Sequence, residues 1–325
     1  MKLVLALTAL LALAPTPADT IAFGPKKGTK LEKRFEMNMT LEKRSMTMSV
    51  GGQDLPAEML EDATMDLSMS RTVEVEDEYR EIDGDRPDLL ARTYTKLSDL
   101  SEQKVLMIGM EEAQEEKKEK ESDLEDQTVL FRWNEKESKF DKEWVGDGAD
   151  DALLEDLEED MDLRGIMPEK DVSVGDSWKI DLKEFDEIFG SGGDLGFTDD
   201  DDDDDEGTDF EDNLTGDVTC TYKGVQEIDG RKLARITATC KAKTFQDDDA
   251  KEKQPAMRME YDISMEGEIL WDLGGKHLVS YKLDGEVSSD MTLTQELDMN
   301  GQKGELLIKI ELAGKIGLEG EFTVK

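Results

Sequence analysis

Apolar and polar residues alternate with a period of two along most of the chain. The first run starts at Lys30, and its apolar positions share one face: Leu31, Phe35, Met37, Met39 and Leu41. Successive side chains of a β-strand point to opposite faces of a sheet, so this pattern predicts a long strand with one buried face. The phase of the alternation changes between residues 43 and 45, which predicts a β-bulge or a bend there.

The same alternation recurs after each turn signal and continues to the end of the chain. Further runs cover residues 63–75, 257–273, 279–283, 291–299 and 306–324. One apolar and one polar face per strand is typical of antiparallel sheets that meet water on one side. The pattern therefore predicts a mainly β fold, built on one large antiparallel sheet that curves like a half-barrel.

Two central segments have a helical period instead. In residues 149–163, Leu153, Leu157 and Met161 recur every four residues, and Gly165 and Pro168 follow. This spacing predicts an amphipathic helix that ends near Gly165. A shorter helix is predicted over residues 181–189 from its capping-box spacing and apolar stripe. We expect one or both helices to pack on a face of the sheet.

The first eighteen residues predict a signal peptide. Lys2 precedes the apolar residues 3–14, and small residues at positions 16 and 18 fit a cleavage site. The apolar run is too short to span a bilayer, and no later run is long enough. No cysteine near the cleavage site offers a point for lipid attachment. We therefore expect an exported protein, periplasmic or extracellular, without a lipid anchor or a transmembrane segment.

Residues 190–213 interrupt the β pattern with glycines and seven consecutive aspartates. Like charges at this density repel one another, so we expect a disordered acidic loop. We predict that residues 19–325 form a single domain around this loop, and the alternative is two smaller β domains that are split near it.

The chain is strongly acidic, with 81 acidic and 40 basic residues and a formal net charge of −41. Such a surface excludes nucleic acid as a partner. Asp202, Asp204 and Glu206 imitate the start of an EF-hand loop, but the twelfth position is Asn213 and not a bidentate glutamate. We expect at most weak calcium binding there, and no cofactor.

The sequence contains no recognisable catalytic arrangement. Its one histidine, His277, adjoins a Gly-Gly turn, where we expect it to face solvent. Nucleophile-elbow, zinc-protease, phosphate-loop and dinucleotide motifs are absent. We therefore predict a monomeric protein that is not an enzyme.

The two cysteines, Cys220 and Cys240, flank a predicted hairpin with the turn Asp229-Gly230. Both fall on apolar strand faces, and a register shift of one residue would place them opposite each other. Because exported proteins favour disulfides, we predict a bond between them. The alternative is two buried free thiols.

Methionine is unusually common, with 17 residues, most of them on predicted apolar faces. Its flexible, polarisable side chain suits adaptable hydrophobic binding surfaces. We predict that a hydrophobic ligand, a lipid or acyl chain, binds a groove lined by Phe35, Met37, Met39, Met65, Met69, Met257, Met259 and Met265. Plain core packing is the alternative for these residues. The alternative function is an exported structural or interaction module whose acidic surface binds cations or basic partners.

Residues 167–182, MPEKDVSVGDSWKIDL, resemble a short motif of exported bacterial β-rich proteins of unknown function, many of them lipoproteins. The layout of long strands around a central helical segment is also similar to the half-barrels of LolA/LolB lipoprotein carriers and LppX-type lipoproteins. That resemblance implies a concave sheet that holds acyl chains, partly covered by helices. Val174, Gly175, Asp176 and Trp178 are expected to form a structural turn with a core tryptophan.

Overall fold

The alternating segments form strands of unusual length. The computed structural model describes residues 18–107, 110, 112–146, 148–182, 188–198, 213–248, 255–299 and 302–325. Its strands are β1 Lys30–Val50, β2 Gln53–Asp54, β3 Thr64–Asp83, β4 Arg86–Leu106, β5 Gln114–Lys120, β6 Thr128–Asn134, β7 Lys139–Trp144, β8 Ser177–Asp181, β9 Thr215–Ile228, β10 Arg231–Asp248, β11 Ala256–Asp272, β12 His277–Met299 and β13 Gln302–Val324. Within the described ranges the only helices are three short 3₁₀ helices, Ala57–Met59, Asp151–Leu154 and Arg164–Ile166.

All thirteen strands belong to one antiparallel sheet, in the order β7-β6-β4-β3-β1-β13-β12-β11-β10-β9-β8, with β2 paired to β1 and β5 to β4. The sheet is open, with β7 and β8 at its two edges. The first and last long strands pair along their length, from Leu31 opposite Val324 to Val50 opposite Leu306. Their register shifts between Lys43 and Ser45, which confirms the predicted bulge. Strands from both sides of the acidic run therefore belong to the same sheet.

One face of the sheet is apolar and buried, and the other is polar. Because directly opposed residues share a face, the register connects Met265, Gly285, Ile316, Met39 and Met69 in one row across β11, β12, β13, β1 and β3. The buried side chains of this apolar face form one continuous core cluster. The predictions of a mainly β fold and a large antiparallel sheet are confirmed.

Two connecting segments contribute to the same core, and we call residues 151–167 and 188–198 the covering segments. Their apolar side chains that join the core cluster are Leu157, Met161, Leu163, Ile166, Ile188, Phe189 and Leu195. These residues include most of the apolar stripe from which a helix was predicted. The sequence pattern therefore predicted which residues are buried, but not the conformation of the backbone.

The α-helix predicted over residues 149–163 is wrong. One 3₁₀ turn, Asp151–Leu154, is capped by the Asp150 carboxylate, and the chain then runs irregularly. The carbonyls of Glu158 and Glu159 accept hydrogen bonds from Arg92 of the sheet, at 2.9 and 2.8 Å. An α-helix would use these carbonyls internally, so the buried cation of the sheet competes with helix formation. Residues 183–187 lie outside the described ranges, so the helix predicted over residues 181–189 stays a prediction.

The V-G-D-S-W stretch forms a turn that leads into β8. Gly175 has a φ of +97°, and the Asp176 carboxylate accepts from the Ser173 amide at 2.8 Å. Trp178 is half-buried and donates its Nε1–H to the Ile166 carbonyl at 2.9 Å. The predicted turn is confirmed, but Trp178 packs at the margin of the core and not inside it. These residues tie the end of the first covering segment to the sheet.

Three glycines on the apolar face lie where a neighbouring strand approaches closely. A Cβ at Gly314 would lie 1.7 Å from the Thr40 carbonyl oxygen, and one at Gly267 would lie 1.8 Å from that of Lys282. At Gly285 the corresponding distance, to the Ser264 oxygen, is 2.1 Å. These strands can keep their spacing only with glycine at these positions.

We expect Gly314→Ala to lower the free energy of unfolding by about 1–3 kcal/mol, because the added methyl group meets backbone that cannot move away. Urea unfolding measures this change. Gly317→Ala in the same strand is the matched control, since its nearest neighbour, an Asp284 carboxylate oxygen, would be 3.4 Å away. If both variants are equally stable, the close approach is not a constraint.

Candidate functional site

A cluster of buried charges joins the sheet to the first covering segment. Lys33 Nζ lies 2.7 Å from the Asp77 carboxylate and 2.8 Å from that of Asp162, and all three side chains are fully buried. Arg92 Nε and Nη2 each lie 2.8 Å from an Asp77 oxygen. The Tyr79 hydroxyl donates to Asp162 at 2.7 Å. We call these five residues the ion cluster, and Asp162 is its only member in a covering segment.

Each charge in the ion cluster depends on its partners. Burial alone would raise the pKa of the Asp77 carboxyl, but Arg92 and Lys33 outweigh burial, so this pKa lies below its usual value. The pKa of the Tyr79 hydroxyl is raised, by burial first and then by Asp162 and Asp77. The tyrosine is therefore a neutral donor, and Asp77 stays ionised between Arg92 and Lys33.

Glu159 borders the ion cluster, but one of its oxygens has no partner in the described part of the chain and its pKa is raised. It is 5% exposed, its Oε2 accepts from Arg164, and its Oε1 has no hydrogen-bond partner among the described residues. Burial raises the pKa of this carboxyl to about 7, against the opposing effect of Arg164; Asp160 and Asp162 raise it further. The covering segment thus contains one carboxyl that titrates near neutrality.

All residues predicted to line a ligand groove lie on the apolar face, but near the ion cluster that face is filled. Phe35 is buried and packs edge-on against Phe322, with ring centroids 5.4 Å apart. The space left between Phe35, Met37 and the second covering segment is about 30 Å³. This volume accommodates about one or two water molecules and no acyl chain.

The opposite end of the apolar face is richer in methionine. One row across β11, β12, β13 and β1 consists of Met259, Met291, Ile310 and Met46, and all four are buried. The next row outward consists of Met257, Leu293, Ile308 and Met48. In this outer row only Ile308 is buried, and the other three side chains are half-buried. We call the two rows the methionine rows.

The methionine rows lie far from the ion cluster. Met48 follows Lys33 by fifteen residues in the same strand, which corresponds to roughly 50 Å at about 3.3 Å per residue. Met39 and Met69, which face each other across β1 and β3, lie between the two ends, and Met265 belongs to their row. Met65 is buried near the start of β3. The predicted residues therefore share one face without converging on one point.

Larger clefts occur on the polar face. One of about 610 Å³ is bordered by Glu36, Asp284, Glu286 and Glu319, with Lys282 and Lys315. On the same face Glu260 opposes Asp290, which in turn opposes Glu311. No group of three or more histidine, cysteine, aspartate or glutamate side chains in the described part of the chain could hold a metal ion. Asp202, Asp204 and Glu206 lie outside the described residues.

The predicted register of the cysteine hairpin is wrong. Lys223 is an extra residue in β9, and this irregularity shifts the register away from the alignment that a disulfide requires. Cys220 therefore faces Ala238, and Cys240 faces Val218. The structure has two buried free thiols in place of the predicted disulfide. Burial raises the pKa of each thiol to about 12.

His277 was expected to face solvent, and this expectation is wrong. It is 1% exposed, and its Nδ1 lies 2.6 Å from the Leu278 carbonyl oxygen. The turn that precedes it closes on Asp272, whose carboxylate accepts from the amides of Gly274 and Gly275, both at 2.8 Å. A tight turn of this kind folds the histidine inward, which the Gly-Gly signal alone did not reveal.

Comparison with known proteins adds no assignment: no protein-family model matches the chain, and no curated protein matches it. None of the described helices is long and apolar enough to cross a membrane. Residues 1–17, which include nearly all of the predicted signal peptide, lie outside the described residues.

Proposed function

We propose that this is an exported, non-catalytic protein that binds a hydrophobic ligand, a lipid or acyl chain, along the methionine rows. In this proposal the sheet curves like a half-barrel, and the apolar face is its concave side. The observation that carries the proposal is the outer methionine row, in which Met48, Met257 and Leu293 are only half-buried.

Two further features support a site at this end rather than at the ion cluster. Near the ion cluster, the covering segments leave only about 30 Å³ beside Phe35 and Met37. At the other end, the thioether side chains of Met48 and Met257 can adapt to chains of varied shape at little cost. The clefts of the polar face are bordered by charged side chains, which do not suit an acyl chain.

The test uses the full chain purified from cells that export it, followed by native mass spectrometry and titration with a neutral fluorescent lipid probe. We expect co-purifying lipid, and we expect Met48→Glu to weaken probe binding at least about tenfold, because a carboxylate in an apolar site must be desolvated. Thr47→Glu is the matched control. Its side chain is exposed on the polar face, opposite Lys309, so it should bind the probe like the unmodified protein.

A second function is favoured by the like-charged row Glu260, Asp290 and Glu311 on the polar face. Arg258 pairs with Glu260 at 2.8 Å, but Asp290 and Glu311 are directly opposed across their strands and repel each other. A basic partner would relieve that repulsion. The same purified protein distinguishes the two proposals. Protein without lipid that ignores the probe, and that spermine stabilises against unfolding, would favour the interaction module over the carrier.

A further inference from the structure

A polar row crosses the apolar face immediately beside the methionine rows. It consists of Thr244, Tyr261 and Ser289 on β10, β11 and β12, which face one another in register. All three are buried, with 3% exposure at Ser289. The next residues of these strands on the same face are Gln246, Met259 and Met291. A ligand that extended inward from the methionine rows would meet this polar row first.

Ser289 is the exception in this row. The Tyr261 hydroxyl donates to Gln246 Oε1 at 3.1 Å, whereas Ser289 Oγ has no hydrogen-bond partner among the described residues. The side chains on either side of Ser289 in its own strand, on the same face, are Val287, which has no acceptor, and Met291, whose sulfur is only a weak one. A buried hydroxyl without a partner is costly, so the Oγ–H of Ser289 is available to donate to an acceptor from outside the described protein.

The surroundings of Ser289 restrict the charge of such an acceptor. A carboxylate in this place would need a cation nearby, and the only basic residue that continues the polar row is Lys43, beyond Leu312. Lys43 lies two strands from Ser289, roughly 10 Å at the usual strand spacing of about 4.8 Å, and its Nζ is directed to the Leu60 carbonyl oxygen at 3.3 Å. The net charge of −41 also opposes the approach of anions. A neutral acceptor avoids both penalties.

We propose that Ser289 donates a hydrogen bond to the carbonyl oxygen of a neutral acyl ester or amide whose chain lies along the methionine rows. This inference rests on the proposed function and narrows its ligand class. An ester or amide carbonyl accepts the Oγ–H while its alkyl chain contacts Met259 and Met291. A free fatty acid would have to be protonated to bind in the same way, and a plain hydrocarbon would leave the hydroxyl unpaired.

The test compares three probes of similar length, methyl dodecanoate, dodecanoate and tridecane, as competitors for a bound neutral fluorescent dye. We expect the full chain to bind the ester about 3- to 10-fold more tightly than the hydrocarbon, the range that one net hydrogen bond provides. Ser289→Ala should reduce that ratio to about one. Ser288→Ala, which is exposed on the opposite face of the same strand, should leave the ratio unchanged. Circular dichroism and thermal unfolding confirm that both variants fold.

The outcomes separate the inference from the function on which it rests. If none of the three compounds displaces the dye, hydrophobic-ligand binding fails, and the role of Ser289 fails with it. If they do bind, but dodecanoate competes as well as the ester or Ser289→Ala keeps the preference for the ester, only the assignment of Ser289 is overturned.

Discussion

Replacing Asp77 with asparagine is expected to lower the free energy of unfolding by about 3–5 kcal/mol, the usual cost of breaking a buried ion pair by removing one partner. Asp77 binds Lys33 through one oxygen and Arg92 through both, and its side chain is fully buried. Asparagine has the same shape but no charge, so both cations would lose their shared counter-ion. Urea unfolding at neutral pH measures the difference, provided that the slope of the transition is unchanged.

Two further variants determine whether the loss comes from the buried charge. Asp62→Asn, at an exposed position, should change stability by less than about 0.5 kcal/mol. Adding Arg92→Met to Asp77→Asn should recover part of the loss, because Asp77 is the only carboxylate paired with Arg92 among the described residues, whereas Lys33 keeps Asp162 as a partner. A loss under 1 kcal/mol for Asp77→Asn, or a double variant that is less stable by the sum of both single effects, would show that the ion cluster does not act as a unit.

The alternation of apolar and polar residues marks two members of the ion cluster, Lys33 and Asp77, that were not predicted. The strands and the bulge in β1 followed from alternation, because one-sided burial leaves a period of two in the sequence. In the same alternation, Lys33 stands between Leu31 and Phe35 on the apolar face, and Asp77 stands between Val75 and Tyr79. Opposite charges at two positions whose phase calls for apolar residues indicate a buried pair. The sequence could not show that they lie on neighbouring strands.

The wrong predictions share a non-local cause. The Leu157 and Met161 spacing fits a helix, but these residues lie on a sheet whose Arg92 binds the carbonyls of Glu158 and Glu159. The cysteine register depended on which strand of the hairpin has the extra residue, and both choices keep the apolar faces aligned. Ser289 also stands at an apolar position of the alternation, between Val287 and Met291, but a single serine there is a weak signal, because serine is small and uncharged.

Glu159 predicts how stability depends on pH. Its pKa is raised from an ordinary 4.5 to about 7 in the folded protein, so between these values the folded state keeps a proton that the unfolded state releases. Raising the pH through this window therefore favours unfolding. A shift of this size corresponds to about 3 kcal/mol of stability that is present below pH 4.5 and lost above pH 7. The contribution of Asp77 to stability changes with pH in the opposite direction. Because the pKa of this carboxyl is lowered in the folded protein, its contribution is lost as the pH falls below the ordinary pKa of 3.8.

We expect Glu159→Gln to flatten the decline in stability between about pH 5 and pH 8, since glutamine keeps the shape and has no proton to lose. Urea unfolding at closely spaced pH values gives the slope for each variant, and Glu155→Gln, exposed in the same segment, controls for the loss of one negative charge. The control matters because a chain with a net charge of −41 also loses stability by general repulsion as its carboxyls ionise.

If Glu159→Gln and Glu155→Gln change the slope equally, that repulsion accounts for the decline. If only Glu159→Gln flattens it, the buried carboxyl loosens the covering segment as the pH rises, and hydrogen exchange of residues 157–163 should then be faster at pH 8 than at pH 5 after correction for the intrinsic rate.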